Sequence, residues 1–99
     1  MIGIYKIENK ITGEVYIGQS KDIERRWKQH RDNMVAKAKV RKYPLYRDMR
    51  HWGINNFSFE ILEECSQFKL DERESYWIKH YAAKVHCYNI KMPEGVERK

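Results

Sequence analysis

The sequence predicts an α/β domain in which a small three-stranded, mainly antiparallel sheet is flanked by helices. Two hairpin strands and a third strand are readable as period-two patterns. Residues 2–8 and 15–18 alternate β-branched and aromatic side chains around a polar break, and Phe57, Phe59 and Ile61 alternate with Ser58 and Glu60. Between and after these strands the apolar period lengthens to that of a helix. With 99 residues, 41% of them hydrophobic and 13% aromatic, the chain suits one packed core and not a disordered segment.

In the hairpin, Tyr5 and Ile7 point to one face of the first strand and Ile4 to the other, so both faces are at least partly covered. Asn9, Thr12 and Gly13 fall in the turn. Gly3 and Gly18 lie at the opposite end, where a missing side chain lets another backbone or a ligand come close.

From Ser20 a helix is expected, with Ser20 or Asp22 as its N-cap and Ile23, Trp27 and Met34 as its apolar stripe. Arg26 and His30 are four residues apart on the edge of that stripe and look partly inward, while Lys21, Arg25, Lys28 and Arg31 fall elsewhere on the wheel. Residues 36–42 carry four cations, Lys37, Lys39, Arg41 and Lys42, and no acid; they read as an exposed basic connection. A second helix begins about Pro44, presents Leu45, Met49 and Trp52, and stops at Gly53.

The last helix, residues 71–81, contains the anomaly around which the functional reading turns. Leu70, Glu74, Trp77, Ile78 and Tyr81 share one face, with Glu72, Ser75 and Lys79 on the solvent side. A carboxylate held among apolar and aromatic side chains loses hydration worth several kcal/mol unless a cation, a metal or a set of donors compensates it. By itself this fits a structural salt bridge as well as a catalytic acid. Beyond it, Tyr88-Asn89-Ile90 is expected as a short extended piece. Residues 1–91 are read as one domain and 92–99 as a flexible tail or the start of a linker.

A net charge of +6 and a pI near 9.4 favour a polyanionic partner. No apolar run approaches the span of a bilayer and no signal peptide is evident, so a soluble, intracellular, cytoplasmic protein is expected. Cys65 and Cys87 are too few for a disulfide framework and lack the paired spacing of a zinc site, so both read as buried free thiols.

Tyrosines from the hairpin, Arg26 and His30 from the first helix and Glu74 from the last therefore point at one interior edge. A carboxylate, a guanidinium, an imidazole and phenols together suit metal-assisted attack on a phosphate ester. The motifs go further. Gly3-Ile4-Tyr5, Tyr16-Ile17-Gly18, the run from Asp22 to His30, the strand from Phe57 to Glu64, the run from Glu72 to Ile78, and Tyr88-Asn89-Ile90 occur in the order and spacing of the GIY-YIG endonuclease family, which the chain resembles from Gly3 to Ile90. The phage and intron homing-endonuclease branch is the most similar in texture.

The resemblance implies the GIY-YIG nuclease fold and metal-dependent hydrolysis of DNA. Glu74 would bind one divalent cation, Mg²⁺ or Mn²⁺, through hard oxygen ligation. Arg26 would hold the scissile phosphate and stabilise its added charge. Tyr5 and Tyr16 match the motif tyrosines, with Tyr5 the better general base; His30 would orient Tyr5 or accept its proton, and Asn89 would support Glu74 or the local backbone. Lys37, Lys39, Arg41 and Lys42 are expected to contact DNA phosphates. A domain this small contacts few bases, so specificity is expected from a fused or partner DNA-binding domain or from a dimer. The rival readings are a non-catalytic nucleic-acid-binding module of the same fold and a branch- or flap-directed repair nuclease.

Overall fold

The computed structural model describes residues 1–35 and 43–91. The basic segment 36–42, with Lys37, Lys39, Arg41 and Lys42, and the tail 92–99 lie outside the described residues. Two strands, β1 (Gly3–Asn9) and β2 (Val15–Ser20), form the hairpin; helix α1 (Ile23–Val35) follows, then α2 (Pro44–Trp52), β3 (Phe57–Glu64) and α3 (Leu70–Ala82). The sheet order is β2-β1-β3 and both pairings are antiparallel.

Alternation along β1 splits the core into two layers, because successive side chains leave a strand on opposite faces. Tyr5 and Ile7, with Tyr16 of β2 and Phe57 of β3, pack under Ile23 of α1 and Leu45, Tyr46 and Met49 of α2. Ile4, with Val15 and Ile17, packs against Leu70 of α3 and Cys87, and Trp77, Ile78 and Tyr81 close over them. The sheet is thus covered on both faces, as the hairpin pattern predicted.

Against β3, β1 changes register between Ile4 and Tyr5: Ile4 opposes Glu63 and Tyr5 opposes Ile61, which leaves Leu62 as the extra residue of a bulge. Gly3 sits beside it. A Cβ there would come within 2.1 Å of the Glu63 carbonyl oxygen, so the backbone approach anticipated at the motif glycine is that of β3.

Two local expectations are corrected. Trp52 is more than a third exposed, and Tyr46 takes its place in the core; Tyr46 and Met49 are three apart on α2, next to Leu45, so the buried stripe is offset from the one the spacing of Trp52 suggested. Tyr88 to Lys91 form a 3₁₀ turn and not an extended piece. The turn satisfies Asn89 and Tyr88 together: Tyr88 donates to Asp48 Oδ2 at 2.8 Å and accepts from Asn9 Nδ2 at 3.3 Å, tying the hairpin turn to α2. Burial and the Asp48 carboxylate both push the Tyr88 phenol up from its ordinary range, so it remains a hydrogen-bond donor.

Candidate active site

Four charged or polar side chains are buried among the described residues, Asn9, Arg26, His30 and Glu74, and the last three are site residues expected from the sequence. Asn9 has a structural use: its Oδ1 accepts from the Ile11 and Thr12 amides and shapes the hairpin turn. The other three lie at the far end of the hairpin, where β2 runs out along the edge of the sheet.

On the α1/α2 face, the two motif tyrosines and His30 form an aromatic cluster. The Tyr5 hydroxyl is 2.7 Å from His30 Nε2, and the Tyr16 and His30 rings meet edge to face at 5.4 Å between centroids. Tyr5 also meets Trp27 edge to face at 6.1 Å. Behind the imidazole, His30 Nδ1 is 2.8 Å from the Tyr46 hydroxyl, which accepts from Asn33 Nδ2 at 3.3 Å. Loss of hydration, reinforced by the positive charge of Arg26, holds the His30 imidazole well below its ordinary pKa, so the ring is neutral.

Helix α1 brings Arg26 to the same end. It is buried, and its Nη1 donates to Gln29 Oε1 at 2.6 Å. A cleft of about 660 Å³ opens here, lined by Gln19, Ser20, Lys21, Asp22, Arg25 and Arg26, among others. Its cations are Lys21, just before α1, and Arg25 and Arg26 in the first turn of that helix. Asp22 Oδ1 accepts from the Arg25 amide at 3.2 Å, the capping bond expected at the start of this helix.

Glu74 arrives from the other face. Only 4% exposed on α3, it accepts a hydrogen bond at 3.3 Å from Gln19 Nε2, and the same amide donates to Asp71 Oδ1 at 2.7 Å, one helical turn earlier. The site therefore straddles the edge of the sheet instead of sitting over a single hairpin face. Gln19 is the link, since it lines the cleft beside Arg26 while its amide reaches the acidic side of α3. Sequence reasoning passed over it, although alternation from Ile17 already placed residue 19 on the α3 side.

Asn89 does not approach through Glu74. Its Oδ1 accepts from the Ile17 amide at 2.9 Å and its Nδ2 donates to the Ile17 carbonyl at 2.7 Å, so of the two supporting roles considered it takes the backbone one. These bonds occupy the outer edge of β2 and fix the strand between Tyr16 and Gly18. Tyr46 and Asn33 are further residues missed in the sequence; the Tyr46–Met49 spacing on α2 was the available signal.

The carboxylate suits a hard cation in one respect and limits it in another. Glu74 offers an oxygen ligand at the cleft edge, but no group of three or more His, Cys, Asp or Glu side chains gathers into a metal cage among the described residues. An ion held by one carboxylate, with water and phosphate oxygens completing its shell, is the case that fits this donor set.

The GIY-YIG catalytic domain family model matches residues 1–89. Over 90 residues the chain is 40% identical to intron-associated endonuclease 1 of Enterobacteria phage T4, covering 89% of this chain and 36% of that protein's length. Among solved structures, the catalytic domain of homing endonuclease I-TevI superposes with a TM-score of 0.73 at 34% identity, covering 89% of this chain and 96% of that one. A mutant of the same catalytic domain gives 0.72 at 34%, over 95% and 98%. The family match spans nearly every described residue and includes both motif strands, α1 and α3. This chain belongs to the GIY-YIG catalytic domain family, the endonuclease family that its motifs resemble.

Proposed function

We propose that the domain is the catalytic part of a homing-type DNA endonuclease and hydrolyses phosphodiester bonds by in-line attack of water, with a divalent cation at Glu74. The observation that carries this reading is that a buried arginine lines the cleft while a buried glutamate on the other face of the sheet is hydrogen-bonded to Gln19, which lines the same cleft, with a phenol hydrogen-bonded to a neutral histidine on the arginine's side of the sheet. Buried charges without a use are costly, and α1 and α3 each contribute one.

When bound, Mg²⁺ or Mn²⁺ would supply Lewis-acid polarisation of the phosphate. Arg26 holds the scissile phosphate and stabilises the charge that grows on its oxygens in the transition state. Tyr5, in its phenolate form, accepts the proton of the attacking water; the water oxygen bonds to phosphorus as the bond to the leaving sugar oxygen breaks, and that oxygen takes a proton from solvent. Tyr5 is fully buried in the free protein, so substrate binding must admit that water to its hydroxyl edge. Tyr16 packs beside His30 and keeps the cluster closed, while Asn89 holds β2 in place beneath it. Lys21 and Arg25 at the cleft, together with Lys37, Lys39, Arg41 and Lys42, draw in the phosphate backbone. The chain spans 36% of the phage relative's length, so a further DNA-binding region, fused or separate, is proposed as the source of target selection.

Supercoiled plasmid incubated with purified protein and Mg²⁺ tests this. Nicked or linear product is expected, and Glu74→Ala and Arg26→Ala are each expected to remove it while circular dichroism stays unchanged. Parent-rate cleavage by Glu74→Ala overturns the reading. Salt-sensitive binding with no metal-dependent product would make the domain a binding module instead, and preference for branched over plain duplex DNA would mark a repair-type nuclease.

A further inference from the structure

We infer that Tyr46 is a positioning residue for this reaction: its hydroxyl donates to His30 Nδ1 and so fixes the imidazole in the tautomer whose Nε2–H is aimed at the Tyr5 oxygen. The inference deepens the proposed function and rests on it only for its catalytic consequence.

The geometry is a directed chain. A neutral imidazole has one N–H and one bare nitrogen, and its neighbours decide which is which. Here both nitrogens are engaged, Nδ1 by Tyr46 at 2.8 Å and Nε2 by Tyr5 at 2.7 Å. Asn33 weights the choice. Its amide nitrogen donates to the Tyr46 oxygen at 3.3 Å and takes up acceptor capacity there, which favours the Tyr46 proton as the donor to Nδ1. With Nδ1 accepting, Nε2 carries the ring proton and gives it to Tyr5. The Tyr5 oxygen thus receives a hydrogen bond, and its own O–H is directed away from His30.

A donor on a phenol oxygen favours the phenolate, the form a general base requires. The groups facing the imidazole support a ring that stays neutral and keeps this direction: Tyr5 from β1, Tyr16 from β2, Tyr46 from α2, and Arg26 from its own helix, whose positive charge opposes an imidazolium. Neither Tyr46 nor Asn33 belongs to the motifs that carry the family resemblance. Helix α2, whose Leu45 and Met49 serve the core, thereby acquires a share in the chemistry.

Long-range ¹H–¹⁵N correlation of the histidine rings in ¹⁵N-labelled protein tests the inference, with His30 assigned from His30→Gln. The parent is expected to show the Nε2–H tautomer at neutral pH; an Nδ1–H ring overturns the inference, and this arm needs no variant of Tyr46 to fold. In Tyr46→Phe the ring is expected to lose its single tautomer, and cleavage to fall roughly tenfold to a hundredfold, the scale of a misplaced catalytic group. An unchanged His30 spectrum in that variant overturns it equally. Tyr5→Phe separates the two readings: parent-rate cleavage there would sink Tyr5 as the base, while the tautomer spectra still judge Tyr46.

Discussion

Gly18 lies beneath the phenol of Tyr5, its cross-strand partner: a Cβ at position 18 would fall 2.4 Å from both Cζ and Oη of that ring. The last glycine of the second motif is therefore needed for the tyrosine of the first. Tyr5 cannot swing aside freely, because it is fully buried and held to His30. Gly18→Ala is expected to displace the ring, cost about 1–3 kcal/mol of stability as overpacking does, and lower cleavage beyond what unfolding explains. Urea titration run beside cleavage assays checks it; parental values for both would refute the contact.

Asn89→Ala removes the two bonds that hold Ile17. Leaving that backbone amide and carbonyl without the partner should cost about 1–3 kcal/mol. Asn89→Asp keeps the acceptor and loses the donor, so a smaller loss is expected. Denaturation midpoints for the pair of variants give the comparison.

Stability should fall with acid in two windows. The His30 pKa is depressed by burial first and by Arg26 second, so the unfolded chain binds a proton that the folded ring refuses; stability is full above 6.5 and declines as pH drops below it, by up to about 1.4 kcal/mol per pH unit. Glu63 is depressed by hydrogen bonds from Trp77 Nε1 and Arg73 Nε, so its contribution is present above 4.5 and is lost as pH falls further. His30→Gln should flatten the first window and Glu63→Gln the second. Thermal midpoints measured across pH decide both.

Chelation with EDTA is expected to stop cleavage while DNA binding persists, since the cations that attract phosphate belong to the protein. Glu74→Ala should unfold no earlier than the parent in heat, because it deletes a carboxylate whose burial costs hydration, and Gln19 keeps Asp71 as a partner. A marked drop in its melting temperature would assign Glu74 to structure.

Arg26→Lys preserves the charge but not the planar fork of donors. Cleavage is expected to fall about 10²-fold or more, with binding weakened little. Single-turnover rates at saturating protein separate the two effects.

Periodicity in the sequence determined the three strands, the three helices and their order, since alternation and helical spacing are local consequences of which side chains seek cover. It also turned Glu74, Arg26 and His30 inward, for each shares a stripe with apolar neighbours. Tertiary structure alone decided that Glu74 reaches the cleft edge from the opposite face of the sheet through Gln19, that Asn89 grips Ile17, and that Tyr46 stands behind His30. These are contacts between residues 16 to 72 positions apart. No local period encodes them, because a hydrogen-bond partner is chosen by whatever the packed layers bring within hydrogen-bonding reach, and that is settled only when the sheet has both its faces covered.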